Sequence, residues 1–421
     1  MPNYRLFIMQ SPRDRYSRSR RGDIGKNRPW RRPGVIQPPS PRLGPVLSTI
    51  EPGDLHPLED DWKITDVRDV ASYNWLNRKT ATIMIPGRPP AWTPLSEPSK
   101  LREDAGQYFR DQNAARYPSH PFQPAVEAIF EACPDFPTAE VDIVGCGSTL
   151  GNLLRFARNI DKKFRFVVQC VGKTVFLIRR ENSPTQTIPD VRGYGHTFPE
   201  AYTTWDAEVK GSESHQRIIQ YSLGGLNCLV RFEADGYHLD LIAERNQEDT
   251  TKHGGSAKDK RRVHQLLDAF NDISISSYHS IDRALTKEIG GVYIPQSAIF
   301  DLKTRSIRRK DQDFLADELP RLWISQIPNM ILAFHRSGVF EEIQKTDTRE
   351  MIKKWETEEQ NDLRKFVALL NMLIAFTRGQ PGGRLEVFHD EGSSVLELRE
   401  VEESFNNVLP EEVEDRWVLN S

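Results

Sequence analysis

The sequence predicts an α+β fold: a mixed, largely antiparallel β-sheet core flanked by helices. Three observations carry this. Apolar runs of strand length are joined by short glycine turns at Gly172-Lys173 and Gly224-Gly225, the signature of β-hairpins. Other stretches have helical periodicity, such as Phe122 to Ala132 with Phe122, Val126, Ile129 and Phe130 on one face. Finally, 421 residues with 38% hydrophobic content can bury a large core, and no internal repeat points to a solenoid.

The elements follow in order. After a Pro-rich linker ending near Pro57, Ser99 to Arg116 and Phe122 to Ala132 read as helices. Val141 to Val144 is a short buried strand, leading through Gly145-Cys146-Gly147-Ser148-Thr149-Leu150-Gly151 into a helix that reaches Phe156. Strands at Phe164 to Val171 and Thr174 to Arg179 form the first hairpin. A helical piece from Phe198 to Glu208 precedes the second, Arg217 to Leu223 with Leu226 to Glu233. Residues 246–262 are polar and Gly-containing, a loop with a basic end. Beyond them come a strand around Asp301, a helix at Phe314 to Trp323 and strands at Met330 to Phe334 and Val339 to Ile343. A long helix from Thr348 to Arg378, interrupted near Gln360, then strands at Leu385 to Phe388 and Val395 to Leu398, complete the pattern. We expect three regions: a disordered Arg/Pro-rich arm (1–57), a single α+β domain (58–405) and an acidic tail (406–421).

Charge is unevenly spread. Residues 1–44 hold ten Arg and one Lys against Asp14 and Asp23, a net of +9 that leaves −12 for the rest of a chain whose total is −3. The arm, with Arg15-Tyr16-Ser17-Arg18-Ser19-Arg20-Arg21 among prolines, reads either as a nucleic-acid contact or as a solvated tail. No apolar run reaches the roughly 18 to 20 residues that span a bilayer, so no membrane partner is expected. Cys133, Cys146, Cys170 and Cys228 lie far apart with no Cys-x-x-Cys pair. The spacing indicates neither a zinc site nor a disulfide framework and fits a reducing intracellular compartment, nucleus or cytoplasm.

The stretch most charged with chemistry is Ala298-Ile299-Phe300-Asp301-Leu302-Lys303-Thr304. On a strand, residues i and i+2 share a face, so Asp301 and Lys303 emerge side by side. Upstream, Leu229-Val230-Arg231-Phe232-Glu233-Ala234-Asp235 repeats the spacing with two carboxylates. Phosphodiester or pyrophosphate hydrolysis builds negative charge on oxygen, and hard divalent ions held by carboxylates and carbonyls can stabilise it. Asp301, Glu233, Asp235 and Glu200, with the Leu302 carbonyl, are the candidate ligands; the same motif on an exposed face would be an ordinary surface ion pair. Gly145-x-Gly147-x-x-x-Gly151 misses the dinucleotide spacing and reads as a turn. His196 and His238 read as hydrogen-bonded structural residues.

With these motifs in place, the chain resembles, from about residue 64 to 400, the DXO-type decapping and 5′-3′ exoribonuclease family, a divergent branch of the PD-(D/E)XK nuclease fold. Asp142 to Leu154 resembles the segment before that family's first hairpin, and Gly195-His196-Thr197-Phe198-Pro199-Glu200 its Gly-Tyr-Lys-Phe-Glu motif. Phe232-Glu233-Ala234-Asp235 is similar to its Gly-Glu-x-Asp motif and Phe300-Asp301-Leu302-Lys303-Thr304 to its Glu-Leu-Lys-Thr motif; Trp323 to His335 resembles the segment ending in Gly-Ile-Pro and an apolar strand. The resemblance implies a hydrolase of RNA 5′ ends (unmethylated cap, terminal NAD or triphosphate, with or without exonucleolysis) using two Mg²⁺ or Mn²⁺ ions. It implies Glu200, Glu233, Asp235, Asp301 and the Leu302 carbonyl as metal ligands and Lys303 as orienter of the water. A 5′-3′ exoribonuclease partner and a role in RNA quality control belong to the same expectation. Three departures stand out: Asp301 replaces Glu, Pro199 adds a residue before Glu200, and the family's active-site Gln falls on Arg321. Arg321, Arg305, Arg179 and Arg180 are candidates to hold the strand. Two other classes stay open: a catalytically weakened RNA- or exoribonuclease-binding platform, and a DNA nuclease.

Overall fold

The computed structural model describes residues 37–56, 62–242, 284–402 and 405–420. Among them, eleven strands form one sheet, in spatial order Val46–Ile50, Leu396–Arg399, Arg384–His389, Phe164–Val171, Thr174–Arg179, Ile143–Cys146, Leu226–Glu233, Ser212–Leu223, Thr65–Leu76, Thr82–Pro86 and Thr286–Gly290. A second, six-stranded sheet runs Val339–Asp347, Asn329–Arg336, Ile299–Ser306, Gly236–Tyr237, Ala91–Trp92, Thr203–Thr204. The expected hairpins form antiparallel ladders. Parallel pairing enters where Ile143–Cys146 lies between Leu226–Glu233 and Thr174–Arg179 and where Ile299–Ser306 meets Asn329–Arg336. The mixed, largely antiparallel α+β class is therefore the one observed.

The large sheet is covered on both faces, and the period of two along its strands sorts the side chains. Val168, Leu177, Ile219 and Val230 join one core with helices Gly147–Ala157, Phe314–Ser325 and Gln360–Arg378, through Leu150, Leu154, Trp323, Phe366 and Leu370. Val167, Phe176, Ile218 and Leu229, their immediate neighbours in sequence, face the other way onto helix Gln123–Ala132 and Trp417. Burial of each such aliphatic or Phe side chain stabilises the fold by roughly 1.5–3 kcal/mol.

Several expected boundaries move. The segment taken for a linker contributes Val46–Ile50, which pairs with Leu396–Arg399 at the sheet edge. The acidic end is a helix, Glu411–Leu419, anchored by the fully buried Trp417, whose Nε1 donates to Thr174 Oγ1 at 3.0 Å. One aromatic ring among acids outweighs their polarity because those acids point outward. Of the helix expected over Ser99 to Arg116 only Gln112–Arg116 forms, capped by Asp111, which accepts from Asn113 N and Ala114 N. The preceding stretch is drawn elsewhere: buried Asp104 accepts from the backbone N–H groups of His196 and Thr197, and Leu101 N donates to Gly338 O. The Gly145 to Gly151 turn is largely the first turn of helix Gly147–Ala157. Strand Thr65–Leu76 escapes sequence reading because Ser72 and Asn74 are buried in it. The Arg-rich stretch of the arm and the loop at 246–262 lie outside the described residues.

Candidate active site

Glu233 is the last residue of strand Leu226–Glu233 in the large sheet, and three residues later Gly236 pairs with Phe300 in the small one. The chain thus steps between sheets at Ala234-Asp235, and both carboxylates sit at the seam. Gly236 is required there: a Cβ would fall on the Phe300 ring and 2.7 Å from Pro90 O. Asp235 Oδ2 accepts the backbone N–H of Leu302 at 2.7 Å, which sets it beside Asp301.

Asp301, only 2% exposed, is held by two cations. Lys303 Nζ donates to its Oδ1 at 2.9 Å and to the Leu302 carbonyl at 3.2 Å, the i and i+2 juxtaposition expected of a strand. Arg321, from helix Phe314–Ser325, donates through Nη1 to Asp301 Oδ2 and through Nε to Glu318 Oε2 at 2.9 Å. Glu233, Asp235, Asp301, Lys303 and Arg321, with Glu200 and Arg179, line one cleft of about 540 Å³.

The electrostatics separate the three acids. Burial, then the charge of Asp235, pushes Glu233 up to about 7; its side chain is open to the cleft yet deep in the body of the protein, so cleft solvent tempers but does not remove the desolvation. Burial and the Asp301 charge push Asp235 up to about 6. For Asp301 burial works upward, but Lys303 and Arg321 together outweigh it and hold the carboxyl well below the usual range. Acids driven apart in one cleft are the pattern that divides proton-transfer roles.

The other expected residues separate. Glu200, on helix Thr197–Tyr202, is exposed on the same cleft. Arg179 reaches it while bonded to Glu181 at 2.7 Å. Arg180 does not line it: its guanidinium is committed to Glu386 at 2.9 Å and Glu402 at 3.2 Å. Nor does Arg305, which pairs with Glu318 at 3.4 Å and lies over Phe314. In both cases a nearby acid, distant in sequence, captures the cation. His196 bonds Asp104 and stacks on Tyr108, and His238 is buried. A residue passed over is Arg231, buried, lining the cleft two positions before Glu233 and held by Pro121 O at 2.7 Å. The same i and i+2 rule would have found it.

The donor types suit a hard divalent cation, but their arrangement does not. Among the described residues no three Asp, Glu, His or Cys side chains come close enough to hold a metal ion, and both oxygens of Asp301 already face cations. Glu200, Glu233, Asp235 and Asp301 all line the cleft, and Arg321 brings its charge to Asp301.

A family model described as "Domain of unknown function (DUF8563)" matches residues 63–417. The chain belongs to that family. No curated protein matches the sequence. Solved structures resemble this DUF8563 member at low identity. Rai1 of Scheffersomyces stipitis, in complex with (3′-NADP)⁺ and calcium ion, is 11% identical with a TM-score of 0.55 over 89% of this chain and 100% of that one. Rai1 of Candida albicans, in complex with pU5-Mn²⁺, is 10% identical with a TM-score of 0.52 over 90% and 100%. Rai1 of S. pombe is 11% identical with a TM-score of 0.52 over 84% and 99%. The DXO-type resemblance read from the motifs is thus matched at the level of the fold. No helix among the described residues is long and apolar enough to cross a membrane.

Proposed function

We propose that this protein hydrolyses the 5′ ends of RNA, breaking a phosphoanhydride or phosphodiester bond at a terminal triphosphate, NAD or unmethylated cap. The observation that carries the proposal is the convergence of Glu233, Asp235, Asp301, Lys303 and Arg321 on one cleft, on a fold whose solved relatives hold pU5 and (3′-NADP)⁺.

The chain's own groups support a mechanism. Arg321, Lys303 and Arg231 present N–H donors and positive charge to the terminal phosphates, lowering the cost of charge that builds on their oxygens. Glu233, raised to about 7, accepts the proton of an attacking water near neutral pH. Water oxygen bonds to phosphorus as the P–O bond to the departing nucleotide or phosphate breaks, and the proton stays on the Glu233 carboxyl until released to solvent. Asp235 positions the edge of strand Ile299–Ser306 through Leu302 N–H and so fixes Asp301 and Lys303.

The test is incubation of the purified protein and an Asp235→Ala/Glu233→Gln variant with RNAs bearing triphosphate, unmethylated cap, NAD or monophosphate ends, with and without Mn²⁺, resolving products by mass. End-selective release lost in the variant supports the proposal. A second reading, an RNA-end-binding platform, is favoured by the capture of Asp301 by Arg321 and Lys303; binding of the same RNAs without release would select it.

A further inference from the structure

Behind the candidate active site lies a second, larger cleft of about 1000 Å³, between helices Gly147–Ala157, Phe314–Ser325 and Arg349–Glu358 and the start of strand Phe164–Val171. Arg110, Ser148, Arg179 and Arg321 line both clefts and form their common wall.

The ion pairs of this second cleft leave a surplus of positive charge. Most of its acids are already engaged. Glu181 holds Arg179 at 2.6 Å, Glu318 holds Arg321 at 2.9 Å, and Glu359 holds Arg158 at 3.5 Å. Glu358 faces Lys354 at 3.7 Å, and Asp313 caps its helix through Ala316 N. Of the cleft's acids, Asp317 alone has no bond among those described. On the cationic side, Arg165 and Arg180 share Glu386, Arg180 also meets Glu402, and Lys163 pairs with Asp390. Arg155 and Lys162 form no ion pair among the described residues: Arg155 donates to the amide oxygen of Asn152 at 2.9 Å and feels the charge of Glu318 only from beyond bonding reach. Arg110 touches an acid only at 4.0 Å, and that acid is shared with Arg179. Partial desolvation by the cleft walls and the charges of Arg155, Arg179 and Arg110 all oppose the charge on the exposed Lys162, the condition of cations collected without their counter-ion. Ile160 and Met351 are 43% and 37% exposed along the same cleft, offering apolar surface beside the charge.

We infer that the second cleft seats a chain of phosphates, namely the backbone of the nucleotides that follow an RNA 5′ end held in the first, with Arg155, Lys162 and Arg110 as its contacts. Single-strand tracks combine such a basic groove with apolar faces for the bases. The inference rests on the reading of the first cleft as the seat of that 5′ end. The cations concerned are not those picked from the sequence, since Arg180 and Arg305 are spent on acids.

The test measures binding of 5′-phosphorylated oligouridylates of two, five and ten nucleotides to the full chain by fluorescence anisotropy, with inorganic polyphosphate as competitor. Wild-type affinity is expected to tighten at least tenfold from dimer to decamer. Arg155→Gln/Lys162→Glu should flatten that gain, leave dimer affinity unchanged, and reduce the salt slope by about 1 to 2 as two phosphate contacts are lost. Lys162→Glu alone, at an exposed position, should give part of the effect with an unaltered melting temperature. Equal affinity for dimer and decamer, or a length gain that survives both variants, overturns the inference while leaving the first cleft intact. Polyphosphate bound more tightly than the decamer, and lost in the variants, assigns the cleft to free polyphosphate and overturns the strand. Failure of the dimer to bind overturns the reading of the first cleft as well.

Discussion

Asp235→Asn is the substitution in which the site's electrostatics can be weighed directly. The wild-type carboxylate is half-buried beside Asp301, and desolvation and the Asp301 charge push it up to about 6. Its folded-state value lies above its unfolded one, so the native state binds the extra proton between about pH 4 and 6, and by linkage stability falls as pH rises through that window. The cost is absent below about pH 4 and complete above about pH 6. A shift of about two units corresponds to about 3 kcal/mol; the coupling to Asp301 and the solvent of the cleft reduce this to about 1–2 kcal/mol. Asparagine keeps an amide oxygen to accept Leu302 N–H and carries no charge. The variant should therefore be more stable than wild type by about 1–2 kcal/mol at pH 7.5, with the difference vanishing near pH 4, while losing activity. Urea denaturation at both pH values in EDTA, compared at equal m-value, measures it. A variant less stable than wild type at pH 7.5, or a gain that persists unchanged at pH 4, would refute the reasoning.

Three further outcomes are expected. Because Glu233 titrates near 7 and must be deprotonated to accept a proton, kcat/KM should rise with pH through about 7, and Glu233→Gln should abolish that limb of the pH–rate profile. Arg321→Gln removes one of the two cations on Asp301, so Mn²⁺ should raise the melting temperature of the variant more than that of the wild type; equal shifts would show that Arg321 does not compete with a metal. Trp417→Ala should cost about 3–5 kcal/mol in urea denaturation, since the ring is fully buried against Phe130 and Phe176; a loss below about 1 kcal/mol would mean that the C-terminal helix is dispensable.

The fold class and the heart of the candidate site were legible because their signals are local. Glycine turns at 172 and 224 declare hairpins by conformation alone, and Gly172, Gly224 and Gly225 do take positive φ. Asp301 with Lys303, and Glu233 with Asp235, declare themselves by the period of two on a strand. That the two pairs meet at one seam follows from the step at Gly236, where a side chain is excluded by Phe300, and no spacing in the sequence announces it. Val46–Ile50 was misread because prolines at 41, 45 and 52 flank it, and Glu411–Leu419 because acids crowd its first turn, while a sheet edge and one buried tryptophan decide their structure.

By itself the sequence determined which side chains share a strand or helix face, since backbone geometry repeats every two or 3.6 residues whatever lies opposite. Only the tertiary structure decided which cations remain free. Arg180, Arg305 and Arg321 find Glu386, Glu318 and Asp301, while Arg155 and Lys162 meet no carboxylate among the described residues. Ion pairing and desolvation depend on separation in space, which chain position does not encode, so the same arginine is a substrate contact, a neutralised strut or a rival for a metal's place according to the acid that folding brings within reach.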